Sequence, residues 1–239
     1  MPKRTKPDHI LSKLITEFEE QGQLQNREFC EEAYYLRLIQ YYERHFQLDK
    51  ALNLVDQALL LYMYKQDFYL IKSKLLMATL RPADALEVLD QVYAISPMNQ
   101  DIPLLRARAH ALMCHYSESL GIIMDLKCNI QETDLPDVLL VEAFIYETMK
   151  DFNKMFDTLR EALLINPNNH EALEQIWISV EFSKKYEESI RLHQSIIDHN
   201  PYSYLAWYNL GHAHSCLGEY EKAVEALEYS FLINPQFEQ

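Results

Sequence analysis

One spacing constrains this 239-residue chain more than any other feature. Pro167, Pro201 and Pro235 stand 34 residues apart, each closing a similar phrase: Leu-Ile-Asn-Pro at 164–167, Asp-His-Asn-Pro at 198–201 and Leu-Ile-Asn-Pro at 232–235. Carried upstream with one two-residue insertion, the register reaches Pro97 in Ile-Ser-Pro. A fixed period of this length marks an array of stacked units, none of which can bury its apolar face alone. The most complete copy is the last, with Ala-Trp-Tyr-Asn-Leu-Gly at 206–211, Gly218-Glu219-Tyr220, Ala223, Ala226 and Asn234-Pro235.

Composition removes the main competitors. The four glycines, Gly22, Gly121, Gly211 and Gly218, are too scattered for a dinucleotide fingerprint or a phosphate-cradling loop. They are also too few for the hairpins of a β-rich fold. His170-Glu171 is followed by Glu174 and does not complete a zinc-protease motif, and no nucleophile elbow or kinase signature occurs. His212 and Cys216 share a helical face at i, i+4, with His214 turned toward the core side, but two ligands are too few for a structural zinc. His110 and His193 fall at core-side places. Catalytic residues, metal and cofactor are therefore all expected to be absent.

The repeated residues resemble the tetratricopeptide repeat. Trp207, Leu210, Gly211, Tyr220, Ala223 and Pro235 match its large-residue, Leu-Gly, aromatic, Ala and Pro places. Six copies follow one another, beginning at Glu32, Gln66, Gln100, Pro136, His170 and Tyr204. Every step is 34 residues except the third, of 36, whose extra residues lie in the Gln131–Leu135 turn. The resemblance implies an all-α fold, a right-handed α-solenoid in which each repeat is an antiparallel pair of helices, A then B. Small residues let the pair close: Ser73, Ala107, Ala143 and Gly211 on A, and Ala51, Ala85, Ser119, Ser189 and Ala223 on B. Ile39 and Trp177 break the rule on A and Met155 on B, so the first and fifth pairs are expected to pack loosely or tilt. Leu48, Tyr116, Phe152, Tyr186 and Tyr220 plug the start of B; Pro82 takes that place in the second repeat, where a first turn needs no donor.

Residues 1–31 form a separate segment before the array at 32–239. Ile10, Leu11, Leu14, Ile15 and Phe18 make one apolar helical face, Gly22 is the expected stop, and the helix is expected to cap the first repeat. The chain stops four residues after Pro235 with no polar closing helix, so a fragment of a longer protein is expected.

The resemblance places the A helices on a concave face. Its groove-facing places hold Leu36, Leu70, Leu104 and Leu140, then Glu174 and Tyr208. One turn on come Gln40, Lys74, Arg108, Phe144, Ile178 and His212, and a further turn on Glu43, Met77, Ala111, Glu147, Glu181 and Ser215. The expectation is a non-catalytic scaffold with an apolar stripe over four repeats, binding a peptide or protein segment. The alternatives are a structural module that self-associates through an uncapped terminal repeat, and the regulatory repeat region of a longer protein. The Lys and Asn pattern with which some relatives clamp acidic chaperone tails is missing, since Leu36, Gln40, Leu70 and Lys74 occupy those places.

The net charge of −14 disfavours nucleic acid and anionic membrane as partners. The acid is concentrated: residues 132–239 hold 7 basic and 19 acidic residues, which fits either a solvated surface or a basic partner. The longest apolar run, Ala58 to Tyr64, is too short to span a bilayer. No apolar leader follows Lys3, Arg4 and Lys6, so the cytoplasm is the expected location. Cys30, Cys114, Cys128 and Cys216 show no zinc spacing and are expected to be reduced and partly buried.

Overall fold

The computed structural model describes residues 7–21 and 31–236, and among them every regular element is an α-helix. The chain divides into two compact units. The first, residues 1–113, holds α1 (Pro7–Gln21), α2 (Glu32–Arg44), α3 (Leu48–Leu61), α4 (Gln66–Ala78), α5 (Pro82–Ile95) and α6 (Asp101–Leu112). The second, residues 114–239, holds α7 (Tyr116–Asn129), α8 (Leu135–Thr148), α9 (Phe152–Ile165), α10 (His170–Ser183), α11 (Tyr186–His199), α12 (Tyr204–Cys216) and α13 (Tyr220–Ile233). The division falls in the turn between α6 and α7. Gly22, the expected stop of α1, lies outside the described residues, as does Cys30.

Two turn chemistries punctuate the helices. The turn from A to B passes through a left-handed residue at the same place in every copy: Phe46, Leu80, Cys114, Lys150, Lys184 and Gly218, with φ between 55° and 77°. At α2, α4, α8 and α12 this residue closes the helix with the paired bonds of a Schellman motif. The Leu80 N–H donates to Met77 O (3.0 Å) and the Arg81 N–H to Leu76 O (2.8 Å). Only the last of the six positions is glycine.

The turn from B to A uses the Asn-Pro phrase. Pro holds the preceding Asn in extended backbone, which stops the helix. The Asn side chain then bridges the proline: Asn166 Oδ1 accepts from the Asn168 N–H (3.2 Å), Asn200 Oδ1 from Tyr202 (3.2 Å) and Asn234 Oδ1 from Gln236 (3.3 Å). Asn200 Nδ2 also donates to Asn168 Oδ1 at 2.7 Å, linking consecutive turns of the second unit. Asn169 caps α10 by accepting from the Ala172 N–H, and Asp151 caps α9 through Lys154.

In the first unit, α2, α3 and α4 share a core of Tyr35, Leu38, Ile39, Tyr42, Leu54, Val55, Phe68 and Leu75. Helix α1 adds Phe18 to it, whose ring lies 5.6 Å from that of Tyr42, and Glu19 of α1 pairs with Lys50 of α3 at 2.8 Å. A second cluster joins α4, α5 and α6 through Leu70, Leu76, Val88, Leu89, Ile102 and Leu105. In the second unit one cluster runs from α8 to α13, including Leu140, Phe156, Leu173, Ile176, Val180, Leu192, Leu205 and Leu210.

The helix pairs differ in how closely they meet, and the small-residue pattern accounts for only part of the difference. Helices α4 with α5, α8 with α9, and α12 with α13 pack extensively, whereas α10 barely meets its own partner α11 and packs chiefly on α9 and α12. Trp177 occupies the place that must be small, and its indole turns to the His212 ring of α12 instead (centroids 5.8 Å). Ile39 is accommodated differently, fully inside the shared core of α2 and α3. The cysteines differ from expectation: Cys114, Cys128 and Cys216 are free but exposed. Cys114 occupies a left-handed turn, where a side chain projects into solvent.

Candidate functional site

In the first unit the A helices are α2, α4 and α6. Leu36 and Leu104 are half-buried, Gln40 and Lys74 exposed, and Arg108 half-buried. Leu70 is 6% exposed and belongs to the core with Val88 and Leu105. In the second unit Leu140 is 8% exposed and likewise a core residue. The expected stripe of four available leucines therefore does not form. Its second and fourth members are covered by the helices beside them. Lys74 lies close enough to Glu43 to oppose the burial that raises that carboxyl above its usual range.

The second unit's A helices are α8, α10 and α12, with α10 in contact with both neighbours. Phe144, Ile178 and His212 sit at equivalent places on the three, and all are half-buried, as are Trp177 and Tyr208. Glu181, half-exposed on α10, holds an oxygen 3.6 Å from His212 Nε2. Burial first, and Glu181 second, push the Tyr208 phenol and the Cys216 thiol up. His212 Nε2 also lies 3.9 Å from Cys216 Sγ, while its Nδ1 is buried without a partner. At the foot of the same helices His170 Nε2 meets the Tyr204 hydroxyl at 2.9 Å, and Glu174 lies 3.4 Å from His170 Nδ1. The joint of α10 and α12 is fixed from within: Asn209 Nδ2 donates to Leu173 O at 2.8 Å.

Behind this face His193 of α11 is fully buried. Its Nδ1 lies 2.8 Å from Ser189 O and 3.1 Å from Ser189 Oγ, and its Nε2 has no partner. Burial holds the imidazole down, to about 4, against the opposing Ser189 carbonyl. His214, with a side chain only 12% exposed, has its Nδ1 2.6 Å from Glu219 Oε2 at the helix end.

Of the two residues central to this surface, Glu181 was among the expected groove-facing places and Trp177 was not. Trp177 has a detectable signal, a large side chain where the pattern requires a small one. Glu181 lies one turn beyond Ile178 on the same face.

Other features are less developed. A cleft of about 330 Å³ between α9 and α11 is lined by Arg160, Leu164, Glu188, Arg191, Leu192 and Ser195. In the first unit a cleft of about 280 Å³ holds Lys72 paired with Asp56 and Arg81 paired with Asp84. Among the described residues no three His, Cys, Asp or Glu side chains come together as metal ligands. None of the described helices is long and apolar enough to cross a membrane.

Comparison with known proteins agrees with the helical-repeat fold. Residues 136–169 and 204–237 each match a sequence family described as tetratricopeptide repeat. Among solved structures, a tetratricopeptide repeat protein from Parabacteroides merdae ATCC 43184 superposes with a TM-score of 0.56 at 12% identity, over 94% of this chain and 85% of that one. A chain from the APC/C hetero-tetramer Cut9-Hcn1 gives 0.52 at 14% identity, over 96% of this chain but 44% of its own length. At such identities the likeness is one of fold. A search of curated proteins finds no match.

Proposed function

From the premise that this chain carries tetratricopeptide repeats and is a protein-interaction scaffold, we propose that it binds a peptide or protein segment along its A helices, without catalysis. The observation that carries this reading is the row of Phe144, Ile178 and His212, equivalent places on α8, α10 and α12 that hold large side chains only half-buried. A core does not require such residues there, and a ligand crossing the three helices would meet one from each repeat. In the first unit Leu36, Gln40, Lys74, Leu104 and Arg108 form the corresponding surface, with a single apolar contact on each of α2 and α6. Selection from a randomised peptide display library tests the reading, using the full chain and an Ile178→Asp variant of matched helicity. The expected result is a recurring peptide that loses the variant. Peptides that bind both equally would contradict it.

A second reading is supported by α13. Tyr220, Val224, Leu227 and Phe231 recur along one side of it and are 38% to 69% exposed. Large apolar patches of this kind mark interaction sites, and self-association through α13 is the simplest use. Sedimentation equilibrium of wild type beside Phe231→Glu distinguishes it: a concentration-dependent mass lost in the variant supports the reading, and a single monomeric mass for both removes it.

A further inference from the structure

The A helices of the second unit contain no Lys or Arg. Together α8, α10 and α12 carry six carboxylates: Asp137, Glu142, Glu147, Glu171, Glu174 and Glu181. The corresponding helices of the first unit, α2, α4 and α6, carry six Lys or Arg and four carboxylates. All eight basic residues of the second unit lie on α7, α9, α11, α13 or in turns. Where these cations reach an A helix they neutralise Glu142 alone, through Lys127. Among the described residues Glu147, Glu171, Glu174 and Glu181 pair with no Lys or Arg; Glu174 lies beside His170 and Glu181 beside His212.

Uncompensated carboxylates on neighbouring helices repel one another and weaken the folded state. Stability alone would scatter a cation among them, as it does on every B helix except α5. The aromatic side chains add a second property. Trp177 precedes Glu181 by one turn on α10, and its ring stands edge-on to His212, at 72° between planes. Tyr208 precedes His212 by one turn on α12. A carboxylate flanked by half-buried aromatic rings suits the side chain of Lys or Arg, whose stem packs on a ring while the head pairs with the acid.

We propose that the α8–α10–α12 face receives a basic, partly apolar segment of a partner protein, with one Lys or Arg side chain of that segment seated against Glu181 beside Trp177 and Tyr208. The inference rests on reading the A helices as binding surfaces and adds the chemistry of the partner. Glu147 and Glu174 then steer the segment and fix its direction, so binding weakens as salt is added.

Positional-scanning peptide libraries, one residue type fixed in each sublibrary, test the proposal by fluorescence polarisation on the full chain at low and high salt. Lys- and Arg-fixed sublibraries should bind roughly 10-fold more tightly than Glu-fixed ones, a difference of about 1.4 kcal/mol. The preference should collapse with Glu181→Gln and shrink at high salt. Equal binding of basic and acidic sublibraries, still lost with Ile178→Asp, would overturn the basic preference and leave the binding surface standing. A preference that survives Glu181→Gln and Glu147→Gln together would overturn its assignment to this face. Binding of no sublibrary would overturn both readings. Charge-driven association of the chain with itself, abolished by Glu181→Gln in sedimentation, would overturn the claim of a different partner.

Discussion

Leu227 of α13 lies so close over Gly211 of α12 that a Cβ at position 211 would stand 2.8 Å from Leu227 Cγ and 3.1 Å from Ala223 O. The contact includes backbone, so a small rotation of Leu227 cannot relieve it all. Gly211→Ala should destabilise the chain by about 1–3 kcal/mol, the usual cost of overfilling a packed joint. Gly121, mid-helix in α7, has nothing within 4 Å of its Cβ direction. Gly121→Ala should therefore stabilise by about 0.5–1 kcal/mol through helix propensity alone. Urea unfolding of both variants checks the pair, and a Gly211→Ala chain as stable as wild type would contradict the packing.

The left-handed turns give a second prediction. Leu80 has φ 58° and is 83% exposed, so its side chain contributes little burial to offset the backbone strain. Leu80→Gly should stabilise by about 0.5–1 kcal/mol, the left-handed cost of an L-residue less the entropy lost by glycine. Gly218, at φ 77° in the same place of its own repeat, has open space around it. Gly218→Ala should nonetheless lose about 1 kcal/mol, because the penalty is conformational. Thermal melts of the two substitutions should move in opposite directions.

His193 makes stability depend on pH. Its imidazole titrates near 6.5 when unfolded and is held down to about 4 in the fold by burial. As pH falls from 6.5 toward 4 the unfolded chain binds a proton that the folded chain refuses, so stability is lost in that window and fully present above it. The contribution is on the order of 3 kcal/mol. His212 adds to the effect in the same direction. His193→Leu should flatten the slope between pH 4 and 6.5 relative to wild type. An unchanged slope would show that the ring accepts a proton in the fold.

The helices were legible because proline and small residues mark their ends and their joints. The A helices begin at Glu32, Gln66, Asp101, Leu135, His170 and Tyr204, each within a residue of the place that the spacing picks out. The left-handed turns were not legible, since five of the six positions hold residues other than glycine and only Gly218 signals the conformation. Nor was the division after Met113, where Ala107 and Ser119 keep the small-residue pattern intact. Periodicity also misjudged Leu70 and Leu140. It fixes the turn of a helix on which a residue sits, but how far a neighbouring side chain such as Leu105 reaches over it depends on the tilt between helices. The charge asymmetry of the A helices was visible only as an acidic C-terminal half, because assigning it to one face needs the helix boundaries.

The central claim is that a ligand segment lies on α8, α10 and α12. A photo-crosslinking residue placed at Ile178, on α10, and separately at Leu164, exposed on α9, tests it most directly with a basic peptide selected on the full chain. The account predicts a covalent adduct from position 178 and none from 164. An adduct from 164 and none from 178 would place the ligand on the B helices and contradict it.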